Sequence, residues 1–162
     1  MPELIMLVGL PGTGKSTWVQ SQGYFDKPDW MVLSTDNFIE SVALGNNKTY
    51  NEVFPSTIKM AEENLVEGLN YACRTRMNIV WDQTNLSAAS RAKKLRLMPL
   101  CYRKIARVFP VPPNHSEWLN SEQRRGKVIP DHVLASMHAV FEQPTIYEGF
   151  DEIITPYVFS DP

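Results

Sequence analysis

Eight residues near the amino terminus, Gly9-Leu10-Pro11-Gly12-Thr13-Gly14-Lys15-Ser16, follow the pattern G-x-x-x-x-G-K-[ST]. Glycine at these places lets backbone N–H groups close on phosphate oxygens where a side chain would intrude. Lys15 can reach terminal phosphates, Ser16 offers a hydroxyl to Mg²⁺, and a helix opening there points its positive end at the anion. The residues expected to form this cradle are Gly9, Pro11, Gly12, Thr13, Gly14, Lys15, Ser16 and Thr17. The ligand implied is a nucleoside triphosphate, ATP, with Mg²⁺.

Two carboxylates follow short apolar segments. Asp36 stands in Ser34-Thr35-Asp36-Asn37 and Asp82 in Asp82-Gln83-Thr84-Asn85. In open parallel sheets ligands gather outside the carboxyl ends of strands, so both acids are candidates for the site. Asp36 could take the proton of an attacking hydroxyl; it could equally be the N-cap of a helix over Asn37 to Ala43. Asp82 reads as an acid that orients Mg²⁺ together with Ser16, or as a simple Asx turn. Thr84 and Asn85 could hold substrate or the geometry of the loop by hydrogen bonds. The run Gln123-Arg124-Arg125-Gly126-Lys127 offers a cationic lid for the charge that develops in phosphoryl transfer, since the arginine fork donates two hydrogen bonds at once. Basic capping of a preceding helix accounts for it too. His115, His132 and His138 have no ligand spacing and read as incidental, and the four tryptophans read as packing residues.

These groups need a scaffold. Leu4 to Val8, Met31 to Ser34, Asn78 to Trp81, Lys104 to Phe109 and Ile153 to Phe159 read as strands. Between them, Lys15 to Gln20 reads as a helix, and Ile58, Ala61, Leu65, Leu69 and Ala72 carry the spacing of a buried helix stripe. Ser87 is the expected N-cap of a helix from Ala88 to about Met98, with Ala88, Ala92 and Leu95 inward and Arg91 and Lys94 outward. Helices are also expected from about His115 to Arg124 and after Pro130, the latter burying Val133, Met137 and Val140. Alternating strands and helices predict an α/β fold of the P-loop NTPase kind: a parallel sheet of about five strands, helices on both faces, and a short helical lid.

With 162 residues, 43% hydrophobic and 21% charged, the chain has the size of a single domain spanning residues 1–162. Its first apolar run is too short to cross a bilayer and lacks a basic leader, so no membrane partner and an intracellular, cytoplasmic location are expected, nuclear in a eukaryote. Cys73 and Cys101 are too few for a disulfide framework and read as buried thiols. The net charge of −2 hides an asymmetry: from Arg74 to Lys127 stand twelve basic residues and three acidic ones. Gathered on one face, they would attract a polyanion.

With these residues in view, the chain resembles the kinase module of the 5′-hydroxyl polynucleotide kinases, of the phage type and of the eukaryotic polynucleotide kinase-phosphatase. The likeness rests on Gly9 to Trp18, Asp36, Asp82 to Asn85 with Ser87 to Arg91, Arg125-Gly126 with Ile129-Pro130, and Phe141 to Thr145 leading to Glu148-Gly149-Phe150. It implies transfer of the γ-phosphate of ATP to the 5′-OH of DNA or RNA, with no accompanying phosphatase domain. It implies Lys15 and Ser16 on nucleotide and metal, Asp36 as general base, Arg125 as the lid arginine, and Asp82, Thr84, Asn85 and Arg91 shaping the acceptor side. Where the phage type has an arginine that holds the acceptor phosphate, this sequence has Ile39. A second resemblance, through Asp82 to Ala89 and Phe150 to Ile153, is to the kinase-like domain of heterogeneous nuclear ribonucleoprotein U, an RNA-associated protein without the acid at the position of Asp36. A small-molecule kinase would share the loop and the base.

Overall fold

In the computed structural model, which describes residues 1–113, 115–117, 119 and 126–156, the apolar runs become parallel strands. They are β1 (Glu3–Val8), β2 (Trp30–Leu33), β3 (Asn78–Trp81), β4 (Arg103–Val108) and β5 (Glu152–Ile154), in the order β2-β3-β1-β4-β5. The central strand β1 pairs with β3 and with β4, Ile5 lying beside Val80 on one side and Ile105 on the other. Because side chains alternate along a strand, β1 feeds two cores at once. Leu4, Met6 and Val8 pack with Leu65, Leu69 and Leu95. Ile5 and Leu7 pack with Val19 and Tyr24 on the opposite face. A sheet buried on both sides explains why these strands read as unbroken apolar runs.

The helices include α1 (Lys15–Ser21), α2 (Thr35–Gly45), α3 (Tyr50–Thr75), α4 (Ala88–Leu95) and α5 (Asp131–Val140). The buried stripe expected from Ile58 to Ala72 belongs to α3, which starts earlier. Its first turn is set by a capping box in which Thr49 and Glu52 each satisfy the other's backbone N–H, a device that supplies partners to donors the helix itself cannot use.

Several expectations are corrected. Arg91 was expected to face outward on α4, but it shares a face with Leu95 four residues on and is fully buried. α4 ends at Leu95 rather than near Met98, and β5 is shorter than Ile153 to Phe159. No residue of α5 is fully buried: Val133 and Met137 are half-covered and Val140 is exposed. Cys73 is half-buried and Cys101 exposed, not two buried thiols. Residues 115–117 are helical; the rest of the helix expected to reach Arg124, and Trp118, fall largely outside the described residues. Among the described residues no helix is long and apolar enough to cross a membrane.

Among the described residues, the basic stretch is not gathered on one face. Arg74 and Arg76 lie at the carboxyl end of α3, which leads into the start of β3 and so sits at the end of the sheet away from the glycine-rich loop. Arg103 pairs with Glu3 and Glu152, and Arg107 lies 4.4 Å from the ring of Trp18. The chain spends much of this charge inside its own structure.

Candidate active site

The loop after β1 has the shape its glycines allow. Gly12 and Gly14 adopt φ of 77° and 94°, a region that costs other residues strain. Gly9 is required for space: a Cβ there would stand 2.9 Å from the carbonyl oxygen of Phe109 and from Thr13 Oγ1. Lys15 opens α1 and is buried; its Nζ donates to the carbonyls of Gly9 at 2.8 Å and Leu10 at 2.7 Å. Burial lowers its pKa to about 8, against the opposing pull of Asp82 and Asp36. A buried cation whose hydrogen-bond partners are neutral carbonyls can exchange them for an anion.

The loop after β3 lies against the first. Gly9 N donates to Thr84 O at 3.0 Å, and Asn85 Nδ2 donates to Leu7 O at 2.7 Å. Asp82 is buried, and Ser16 Oγ donates to its Oδ2 at 3.3 Å. Burial raises the Asp82 pKa, only partly offset by Lys15. The residues fit Mg²⁺: a hydroxyl and a buried carboxylate meet beside the phosphate cradle, and no cluster of three or more His, Cys, Asp or Glu able to hold a metal alone exists among the described residues. Magnesium characteristically takes one or two carboxylates and completes its shell with water and phosphate oxygen.

Asn85 and Arg91 are not brought to an open surface. Asn85 is buried at positive φ and also accepts from Lys94. Arg91 pairs with Glu148 at 2.7 Å, and its Nη1 donates to the carbonyls of Asn85 and Leu86 at 2.9 Å each. The two hold the Asp82 loop in place. Lys94 likewise turns inward, donating to Gln83 at 2.8 Å, and burial lowers its pKa to about 8.

Asp36 lies in the first turn of α2, yet it is not the cap. Ser34 fills that role, its Oγ accepting from Asn37 N at 3.2 Å. The carboxylate of Asp36 receives Tyr50 Oη on Oδ1 at 2.6 Å and Lys127 Nζ on Oδ2 at 2.8 Å. Burial resists its ionisation, but Lys127, Tyr50 and Lys15 outweigh it and hold its pKa below the ordinary carboxylate value. Nearly half of its side-chain surface (48%) is still open. Asp36, Asp82, Lys15 and Lys127 influence one another's charge and form one electrostatic cluster. Ile39, where the resemblance raised a missing arginine, is buried with Ala43, Val53 and Ala61.

Of the residues singled out from sequence, the glycine-rich loop, Ser16, Asp36, Asp82 and Thr84 come together at the carboxyl end of the sheet. Arg125 lies outside the described residues. Sequence reasoning missed Tyr50 and gave Lys127 no contact of its own; the Thr49-x-x-Glu52 pattern was the available signal that a helix begins beside Tyr50. It also missed His115, which is buried with Nε2 2.6 Å from the carbonyl oxygen of Pro11, 104 positions away.

The chain matches the AAA domain family (AAA_33) over residues 4–144. It is 26% identical over 161 residues to the human heterogeneous nuclear ribonucleoprotein U-like protein 2, covering 93% of this chain and 21% of the relative. The chain thus spans about a fifth of the length of the curated relatives it matches. Among solved structures, a candidate kinase of Chloroflexus aurantiacus superposes with a TM-score of 0.68 at 18% identity, over 96% of this chain and 84% of that one. A chain of the Pnkp1/Rnl/Hen1 RNA repair complex does so with 0.61 at 21%, over 85% and 43%. A sugar kinase of Janibacter does so with 0.58 at 18%, over 96% and 85%. These likenesses establish a P-loop kinase-like fold; at such identities they carry no acceptor with them.

Proposed function

This chain belongs to the AAA domain family, and from that premise we propose that it is an ATP-dependent kinase that phosphorylates the 5′-hydroxyl end of DNA or RNA. The observation that carries the proposal is Asp36: a carboxylate not used as a helix cap, half open to solvent, and sharing one charge cluster with Lys15 of the phosphate loop. ATP would supply the phosphoryl group, and Ser16 and Asp82 would hold Mg²⁺, which when bound would supply charge neutralisation. The backbone of Gly9 to Ser16 cradles the phosphates, Lys15 donates to them, and Arg125 is assigned the lid role. Asp36 takes the proton of the incoming hydroxyl as its oxygen bonds to phosphorus and ADP departs. The likenesses to a chain of an RNA repair complex and to a ribonucleoprotein U-like protein support a nucleic-acid acceptor.

The test is transfer of labelled phosphate from ATP to a 5′-OH oligonucleotide, with wild type and Asp36→Asn. The substitution should cost about a hundredfold or more in kcat while nucleotide binding persists; unchanged turnover would remove Asp36 from the chemistry. A second reading, a small-molecule kinase, is favoured by the dispersal of the described basic residues: Arg91, Lys94 and Arg103 are paired within the structure. Sugars and nucleosides as acceptors in the same assay separate the two: label on these but not on the oligonucleotide would select the second.

A further inference from the structure

The surroundings of Asp36 are more organised than a solvent-facing acid requires. Tyr50 and Lys127 each take one oxygen of the carboxylate, and Lys127 Nζ also lies 4.8 Å from the centre of the Tyr50 ring. The three side chains therefore touch pairwise.

What holds Tyr50 and Lys127 in place is a single tripeptide. Thr49 caps α3, and its methyl and Cβ lie where a Cβ on Gly126 would be, at 2.6 and 2.5 Å. Gly126 has φ of 80°, so both its conformation and its lack of a side chain are needed for this approach. Asn51 N donates to Gly126 O at 3.2 Å. The Asn51 side chain closes a two-way pair with the backbone of Val128, donating from Nδ2 to Val128 O at 3.1 Å and accepting from Val128 N at 3.0 Å. Lys127 is thus fastened on both sides, and Tyr50 stands between the two residues that fasten it.

We propose that Thr49-Tyr50-Asn51 is a clamp that makes Tyr50 and Lys127 the positioning residues of Asp36: they fix the carboxylate rotamer and aim its remaining lone pairs at the acceptor hydroxyl. The proposal rests on the reading of Asp36 as general base. A carboxylate offers about four lone-pair sites, so two donors leave room for an incoming O–H. Donors on a base weaken its basicity, but phosphoryl transfer passes through a loose transition state in which little covalent chemistry falls to the protein and alignment dominates. Fixing the acid is therefore worth more than keeping it strongly basic. Among the described residues, the charged and titratable groups around Asp36 are Tyr50 from α3, Lys127 from the Gly126–Val128 arm, Lys15 from α1 and Asp82 from the loop after β3, with Glu40 acting on Tyr50 from α2.

The experiment follows kcat against pH for transfer to a 5′-OH oligonucleotide in wild type, Asp36→Asn, Tyr50→Phe, Lys127→Met, Lys127→Arg and Asn51→Ala. Tyr50→Phe and Lys127→Met should lower kcat about ten- to a hundredfold, the loss expected for a hydrogen bond to a charged group, with KM for ATP little changed. Lys127→Met should also move the acid limb of the profile upward by about one pH unit or more, because the opposite charge beside Asp36 is gone. Lys127→Arg should recover most of both effects, and Asn51→Ala should resemble a milder Lys127→Met. A carboxyl-carbon NMR titration of Asp36 in the nucleotide-free protein reads the same displacement without turnover and reports folding of each variant. If Asp36→Asn abolishes transfer while Tyr50→Phe and Lys127→Met keep wild-type kcat, acid limb and carboxyl titration, the clamp is overturned and the base reading stands. If Asp36→Asn leaves turnover intact, both fall.

Discussion

Gly9 to Ser16 are eight consecutive residues whose shape follows from backbone conformation and close packing, whereas the contacts of Asp36 come from Tyr50 and Lys127, 14 and 91 positions away. The glycine-rich loop is held by main-chain groups; the carboxylate of Asp36 is half open and held by side chains. Backbone-built sites depend on a few residue types at fixed spacing and should fail abruptly when one is changed. Side-chain-built sites are assembled by the fold, and their losses should be graded.

The largest loss of stability from one substitution should come from the buttress of the Asp82 loop. Replacing Arg91 with Met leaves the mostly buried Glu148 carboxylate without its cation, with Thr145 N still donating to it, and takes one donor from each of Asn85 O and Leu86 O, which should cost about 3–5 kcal/mol in urea unfolding. Equal stability would mean that the Asp82 loop does not depend on this ion pair. Next, Lys15→Met should lower transfer about a hundred- to a thousandfold through loss of one charged donor, and should weaken ATP in a direct binding assay. An effect no larger than that of Tyr50→Phe would erase the contrast between the two sides.

Gly9→Ala should destabilise by about 1–3 kcal/mol, because the new methyl meets backbone at Phe109 that cannot rotate away; thermal unfolding checks it. Protons offer a further probe. With the Lys15 and Lys94 pKa values at about 8 in the folded chain, the unfolded chain binds more protons from about pH 8 to about 10.4. These two groups therefore make stability rise with pH across that window. Phosphate favours charged Lys15, so ATP binding near pH 8 should take up protons, seen as a dependence of calorimetric heat on buffer ionisation enthalpy. Proton release would contradict the assignment of Lys15 to the phosphates.

The fold was legible because its signals are local. Runs such as Leu4 to Val8 and the Ile58 to Ala72 spacing are consequences of two-sided and one-sided burial, which a chain cannot disguise. The glycine-rich loop was legible for the same reason. Three things were not. Whether Asp36 or Ser34 caps α2 depends on which side chain reaches Asn37 N, a matter of rotamers. Arg91 looked like a surface cation because nothing in its neighbourhood announces Glu148, 57 positions away. The basic stretch looked like a face because a count of charges ignores which of them the fold pairs internally.

The order of the strands bears on how the chain is made. β1 leaves the ribosome first, yet its partner β4 begins about a hundred residues later, and at about 5–20 residues per second that is roughly 5–20 s of synthesis. Throughout that interval the apolar strand β1 has one ladder unmatched, and its core neighbours Leu65, Leu69 and Leu95 are added only late. Slowed translation or scarce chaperones should therefore lower yield more than any defect in the finished molecule would suggest.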